Sequence, residues 1–301
     1  MSARAARLPA AAALLAAVTL PAWAGDAPPP GLRNARTDVR SAASGLGAAV
    51  RATASEKGAV WLAYEVPTEG GHTMCCWDSV ASITTTRGPG CRLEGEGVTM
   101  TDGDTRPAAR GGLVRLEDDR TAVIYLRAQA GRVDRVRTLS WNCGVDAGNR
   151  PLVWLRDVRP ADSAAFLGSL LTDDGGRRCL DEALLALSVH ADPAALDRMI
   201  EAGRHHASAR VRSQALFWLA QKAGRRATDT ITAAVSEDPE SEVRQQAVFA
   251  LSQLPRHEGV PKLIELARSH RDPSVRKRAM FWLGQSEDPR ALAFFEQVLK
   301  N

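Results

Sequence analysis

The 301-residue chain contains no Gly-x-Ser-x-Gly, no His-Glu-x-x-His and no phosphate-binding glycine-rich loop. The usual sequence signals of serine hydrolases, zinc proteases and nucleotide-binding enzymes are therefore missing. Cys-x-x-Cys spacing is absent too, which speaks against a dithiol redox motif. Past the first 24 residues no apolar run is long enough to span a hydrocarbon core of roughly 30 Å. Lys and Arg are interspersed with Asp and Glu, with no basic cluster of the kind that binds nucleic acid. What is lacking excludes most chemistry and leaves binding as the expected function, with no cofactor.

The N-terminus has a basic start with Arg4 and Arg7, an apolar run from Leu8 to Leu20, and small residues in Ala22-Trp23-Ala24. This three-part pattern predicts a signal peptide over residues 1–24, cleaved after Ala24, and a periplasmic or secreted protein without a transmembrane anchor. No cysteine follows the expected cleavage site to carry a lipid. Losing Arg4 and Arg7 takes the formal charge from +4 to +2.

Residues 25–56 read as a linker, with Pro28-Pro29-Pro30, and then a helix over Thr37–Thr53. Val39, Ala42, Ala43, Leu46, Ala49 and Val50 recur in that stretch near helical spacing. Residues 57–171 read as a mainly antiparallel β domain with a connecting helix. Val60 to Val66 is β-branched and aromatic and stops at Pro67. Further strands are expected at 72–77, 80–86, 112–117, 121–128, 132–142 and 151–158, with turns at 88–90 and 117–120. Asp162-Ser163 is placed to cap a helix through Leu171.

From residue 177 to 301 the pattern becomes periodic. Val211-Arg212-Ser213-Gln214-Ala215, Val243-Arg244-Gln245-Gln246-Ala247 and Val275-Arg276-Lys277-Arg278-Ala279 start 32 residues apart, and each continues to a Leu eight after the Val. Ala183 and Leu187 extend the series backward, with Cys179 in the Val position. A fixed period of this size signals stacked helical pairs, here four. The second helices carry Leu196/Met199/Ile200, Ile231/Ala234/Val235, Val260/Leu263/Ile264/Ala267 and Leu292/Phe295/Val298/Leu299. Asp-Pro at 192, 238, 272 and 288 punctuates the turns, Asp as an N-cap and Pro in a first helical turn. The fold class expected is α+β, a β domain followed by an α-solenoid.

This stretch resembles the HEAT-repeat family in its Asp-Pro turns, its Val-Arg pairs, the Ala four residues after each Val and the Leu eight after. The resemblance implies that Arg212, Arg244 and Arg276 are ladder arginines that bind turn acids of neighbouring repeats. It also implies that the first helix of each pair lines the concave surface. The whole chain, including Trp61-Leu62-Ala63-Tyr64-Glu65-Val66-Pro67 and Met74-Cys75-Cys76-Trp77, is similar to exported bacterial HEAT-repeat proteins, which implies an envelope-signalling setting.

On an α-helix Phe217 points roughly 150° from the cluster of Val211, Ala215, Trp218 and Leu219, taking about 100° per residue. Phe249 and Phe281 repeat that position, where the family usually has a polar residue. Gln221, Gln253 and Gln285 stand one turn on. The expectation is a groove with an apolar stripe edged by amides, suited to an extended peptide or an amphipathic helix from a protein of the cell envelope. The competing reading packs the phenylalanines between repeats or under the β domain.

Cys75 and Cys76 are adjacent on a predicted strand and face opposite ways. With Cys91 and Cys143 as mates, structural disulfides are expected in an exported domain. Cys179 is expected to be a buried free thiol. An enzyme is the alternative, either thiol-redox through Cys75 and Cys76 or a metal-dependent hydroxylase. His257-Glu258 is similar to the His-Glu pairs of HEAT-repeat deoxyhypusine hydroxylases, but a 32-residue step gives Arg225-Arg226 and Pro289-Arg290, so the required set of pairs is not there. His205-His206 lacks a further ligand at helical spacing and reads as solvated surface, and Asp102-Gly103-Asp104 is too short for a calcium loop.

Overall fold

The computed structural model describes residues 27–55, 58–69, 74–77, 91–94, 98–101, 120–172, 176–222 and 224–300. The expected signal peptide at residues 1–24, the strands expected at 80–86 and 112–117, the turn at 88–90 and Asp102-Gly103-Asp104 lie outside the described residues.

The first half forms β1 (Leu32–Arg33), β2 (Arg36–Ser41), α1 (Leu46–Ala54), β3 (Val60–Pro67), β4 (Met74–Trp77), β5 (Cys91–Arg92), β6 (Val98–Thr101), β7 (Thr121–Gln129), β8 (Arg132–Ser140), β9 (Val145–Asp146), β10 (Pro151–Arg156) and α2 (Pro160–Ser169). Its main sheet runs in the order β2-β10-β3-β7-β8. β2, β10 and β3 are parallel, whereas β3, β7 and β8 are antiparallel. The sheet is therefore mixed rather than mainly antiparallel. Strands β1, β9 and β5 form a short parallel sheet, and β4 pairs with β6.

The inner strands β10, β3 and β7 of the main sheet are buried on both faces, which explains the unbroken apolar run in β3, whereas the edge strand β2 is mostly exposed. Leu62, Tyr64, Ile124, Leu126, Val153 and Leu155 face the helices. Trp61, Ala63, Val123, Tyr125, Leu152 and Trp154 face the opposite way, against Cys91, Leu93, Cys143 and Val145 of the small sheet and its loops. Alternate residues of a strand point to opposite faces, so one strand serves two cores. The helix expected over Thr37–Thr53 is corrected. Its first part is β2, the sheet edge beside β10, and only Leu46–Ala54 is helical. Gly45, at φ +106°, makes the break, a conformation open to glycine.

The second half forms four helical pairs: α3 (Gly176–Val189) with α4 (Pro193–His205), α5 (Ala209–Lys222) with α6 (Arg225–Glu237), α7 (Ser241–Ser252) with α8 (Val260–Ser269), and α9 (Pro273–Gly284) with α10 (Pro289–Lys300). α3, α5, α7 and α9 pack side by side in series, more closely than the second helices do. The core they share is continuous with the helix-facing side of the sheet.

Two contacts fix the solenoid to the sheet. α3 lies along β8, where the Glu182 carboxylate accepts the Val136 backbone N–H at 3.0 Å and the Cys179 thiol lies 3.9 Å from the Val133 carbonyl. Burial raises the Glu182 pKa, opposed by Arg137, Arg135 and Arg178 nearby. Farther along, Ala191 N–H donates to the Pro67 carbonyl, and Lys222 Nζ donates to Glu69 and to the His190 carbonyl.

The Asp-Pro turns work as expected at three places. Asp192 and Asp272 accept the N–H of Ala194 and Ser274 as N-caps, and Asp288 accepts that of Arg290. Asp238 is different. It ends α6 and accepts the N–H of Glu240. The apolar set expected on the last helix is also corrected: α10 buries Ala291 and Phe294, while Leu292, Val298 and Leu299 are exposed.

Candidate functional site

The Phe column exists, and it is more continuous than its spacing implies. Phe217 and Phe249, on neighbouring helices α5 and α7, stack with centroids 6.0 Å apart and planes 8° from parallel. Phe249 meets Trp282 of α9 at 4.8 Å. Trp218 and Trp282 each stand edge-on to the phenylalanine before them, at 5.1 and 5.0 Å. Five rings thus run across three helices, with geometries favoured by ring quadrupoles. Phe217 and Phe249 are half-buried between repeats, and Phe281 is 52% exposed.

The helical angle alone puts both tryptophans in the core. In the structure both join the aromatic run, Trp218 through Phe217 and Trp282 through Phe249 and Phe281, while Ala250 occupies the matching place on α7. The indole N–H groups of Trp218 and Trp282 are buried with no acceptor among the described residues. Arg278 lies over the Trp282 ring at 6.0 Å, a cation–π arrangement.

The predicted amides divide. Gln253 and Gln285 cap the C-terminal ends of α7 and α9 and line one cleft of about 290 Å³ with Trp282, His257 and Glu287. Gln221 is exposed on α5 and does not line that cleft. The cleft forms where Pro255–His257 makes a single 3-10 turn before α8, with Arg256 and His257 at positive φ.

The ladder arginines occupy the inner turns. Arg212 makes a bidentate pair with Asp238, and its Nη1 donates to the His206 and Ala207 carbonyls. Arg244 reaches Asp272 at 3.2 Å and the Asp238 and Pro239 carbonyls. Arg276 repeats the carbonyl contacts, to His270 and Arg271, but has no carboxylate partner among the described residues.

The histidines are partly structural. His206, Asp238 and His270 stand 32 residues apart at the ends of α4, α6 and α8. Each side chain accepts the N–H two residues on, at Ser208, Glu240 and Asp272. The signal for this was the period itself, masked by the change of residue type. His190 does the same for Asp192 and is fully buried, its Nε2 without a partner among the described residues. Burial pushes its pKa down to about 4, with Lys222 adding to the shift.

Cys91 and Cys143 are buried and disulfide-bonded. The side chains of Cys75 and Cys76 lie outside the described residues. Cys179 is a buried free thiol whose pKa burial pushes up to about 12. Among the described residues no group of three or more His, Cys, Asp or Glu side chains is placed to hold a metal ion, and no helix is long and apolar enough to cross a membrane.

A family model for HEAT repeats matches residues 196–269 and 228–301. Comparison with curated proteins gives no match. Among solved structures, a chain in the complex of CpcE and CpcF of phycocyanin lyase from Nostoc sp. PCC7120 is 18% identical, with 47% of this chain and 89% of that chain covered and a TM-score of 0.33. The helical second half of the chain carries HEAT repeats and is built as a HEAT-repeat scaffold.

Proposed function

We propose that the solenoid binds a peptide or a protein segment through the inner face formed by α5, α7 and α9. The observation that carries this reading is the aromatic run from Phe217 through Phe249 and Trp282 to Phe281. It ends in a ring that is half in solvent, next to a cleft edged by Gln253 and Gln285. Large apolar side chains at the rim of a polar-edged cleft favour an apolar anchor residue of a partner, with the amides serving its backbone. The face is taken as concave because its helices pack more closely than those of the outer series. Export, which rests on the N-terminal sequence pattern, and a place in envelope signalling, which rests on the resemblance to exported bacterial HEAT-repeat proteins, belong to the same proposal.

The test is capture of partners from envelope extract by the chain carrying Phe217→Ala, Phe249→Ala and Phe281→Ala, beside wild type. Loss of a partner with the helical signal retained supports the site. Capture that survives all three changes sinks it. The cysteines are read as structural: we propose that Cys91 and Cys143 pair with Cys75 and Cys76, which non-reducing peptide mapping would decide.

A further inference from the structure

The main sheet has two edges, and they are finished differently. At β8 the edge lies under α3, where the Val136 N–H donates to the Glu182 carboxylate and the Cys179 thiol lies on the Val133 carbonyl. β2, at the other edge, has no strand on its outer side among the described residues. Its residues are exposed except Arg40, which is half-buried. Val39 is an apolar side chain left 43% exposed.

The bonds between β2 and β10 fix which backbone groups are left over. Arg36 N–H donates to the Arg150 carbonyl and Ala42 N–H to the Arg156 carbonyl, at the two ends of a parallel register that pairs Arg36 with Pro151 and Ser41 with Arg156. Along a strand the N–H and C=O groups of successive residues turn to opposite sides. Arg36, Asp38 and Arg40 therefore face β10, and Thr37, Val39 and Ser41 turn their backbone groups outward. The Val39 N–H fits this, since the Asp38 carboxylate holds it at 2.9 Å. The other oxygen of Asp38 accepts from Arg40 Nε at 2.9 Å, and both side chains are exposed. An open edge is a template for another strand unless its charges forbid one.

The geometry points to a second copy of this chain as the occupant: two β2 strands pair antiparallel about a two-fold axis at Val39 and join the two main sheets into one. In that register Val39 faces Val39 of the other copy, Thr37 faces Ser41, and Asp38 faces Arg40. The residues with outward backbone groups all fall opposite one another, which gives about six hydrogen bonds. Val39 N–H exchanges the Asp38 carboxylate for a carbonyl of the other copy. Asp38 and Arg40 fall at the sites without backbone bonds, where facing side chains come closest. A two-fold interface demands one self-complementary patch. Here a single strand sets the spacing of both charges, so strands lacking that pattern are repelled and the chain's own is matched. On the helix side α1 leaves a cleft of about 330 Å³ beside the strand, lined by Arg40, Ala48, Ala49 and Ala52, so the approach is open. One strand pairing buries less than the roughly 800 Å² per partner of a standard interface, and the dimer is accordingly weak. This edge is separate from the aromatic face of the solenoid and does not rest on the function proposed there.

Sedimentation of the purified chain over a concentration series tests this. The wild type should move from monomer toward dimer as concentration rises. Val39→Pro removes an N–H that β10 does not use, so it spares the sheet and should hold the chain as a monomer. Asp38→Arg sets like charges face to face on both sides of the axis and should weaken the dimer about tenfold or more. Arg40→Asp should do the same. Asp38→Arg/Arg40→Asp exchanges the two charges and should restore the dimer, which a merely damaged edge would not do. A wild type that stays monomeric throughout overturns the proposal. So does a dimer unmoved by Val39→Pro, or a charge exchange that leaves the dimer as weak as either single change.

Discussion

Arg212 and Asp238 face each other across 26 residues of chain, Nε to Oδ2 at 2.7 Å and Nη2 to Oδ1 at 2.9 Å, with both side chains almost wholly out of solvent. One pair of the solenoid is thereby tied to the start of the next. The tie also orients the turn after α4, since the same guanidinium holds two of its carbonyls.

Removing one partner of a buried ion pair leaves a desolvated charge behind, at a cost of about 3–5 kcal/mol. Arg212→Ala should show that loss in urea unfolding. Arg244→Ala should cost clearly less, because its pair with Asp272 is longer and more exposed. Equal losses for the two would refute this account of the ladder.

His190 makes stability depend on pH. Its pKa is about 4 in the folded chain, against about 6.5 when unfolded. Between these values the unfolded chain binds a proton that the native one does not, so stability falls as pH drops from 6.5 toward 4. The loss amounts to about 3 kcal/mol at the lower end, since each unit is worth about 1.4 kcal/mol. His190→Gln should flatten the profile in that window. A profile unchanged by the substitution would place the pH dependence elsewhere.

Phe249 and Phe281 should separate stability from binding. Phe249 lies between Phe217 and Trp282, and Phe249→Ala should cost about 1–3 kcal/mol through lost packing, somewhat under the full core value. Phe281 is half in solvent, and Phe281→Ala should change stability by less than about 1 kcal/mol. Thermal melts read the first effect. Partner capture reads the second, and a Phe281→Ala chain that binds like wild type would take Phe281 out of the site.

Cys179 should be chemically silent. Its thiol is buried and carries almost no thiolate near neutrality. Alkylation at pH 8 should leave it unmodified in the native chain and label it fully in denaturant. Rapid native labelling would mean that α3 leaves β8 far more often than this packing implies.

The solenoid was legible because its information is local and repeated. Val, Arg, Ala and Leu recur at one spacing, and each repeat restates the same packing. The sheet was less legible. β2 meets β10 more than a hundred residues away, and no local pattern announces a parallel partner at that distance. Val39 through Val50 mimicked one helix because an edge strand, a turn and a short helix happened to place apolar residues near helical spacing. On α10 the helical spacing was right and the burial wrong, since periodicity finds an apolar stripe without saying what covers it. At the candidate site Phe217, Phe249 and Phe281 were visible by period, whereas the helical angle assigned Trp218 and Trp282 to the core, and the contact of Trp282 with Phe249 crosses between helices where no local pattern shows it.

The solenoid is held at its first two pairs, where Glu182 and Cys179 of α3 lie on β8 and Lys222 of α5 reaches Glu69. In mechanical terms it is a cantilever. Small rotations between successive pairs add along such a stack, so displacement grows toward α10 and bending moment grows toward the root. A force at the far helices, or a wedge driven between the middle ones, is felt most at the contacts of Glu182 with the Val136 amide and of Lys222 with Glu69.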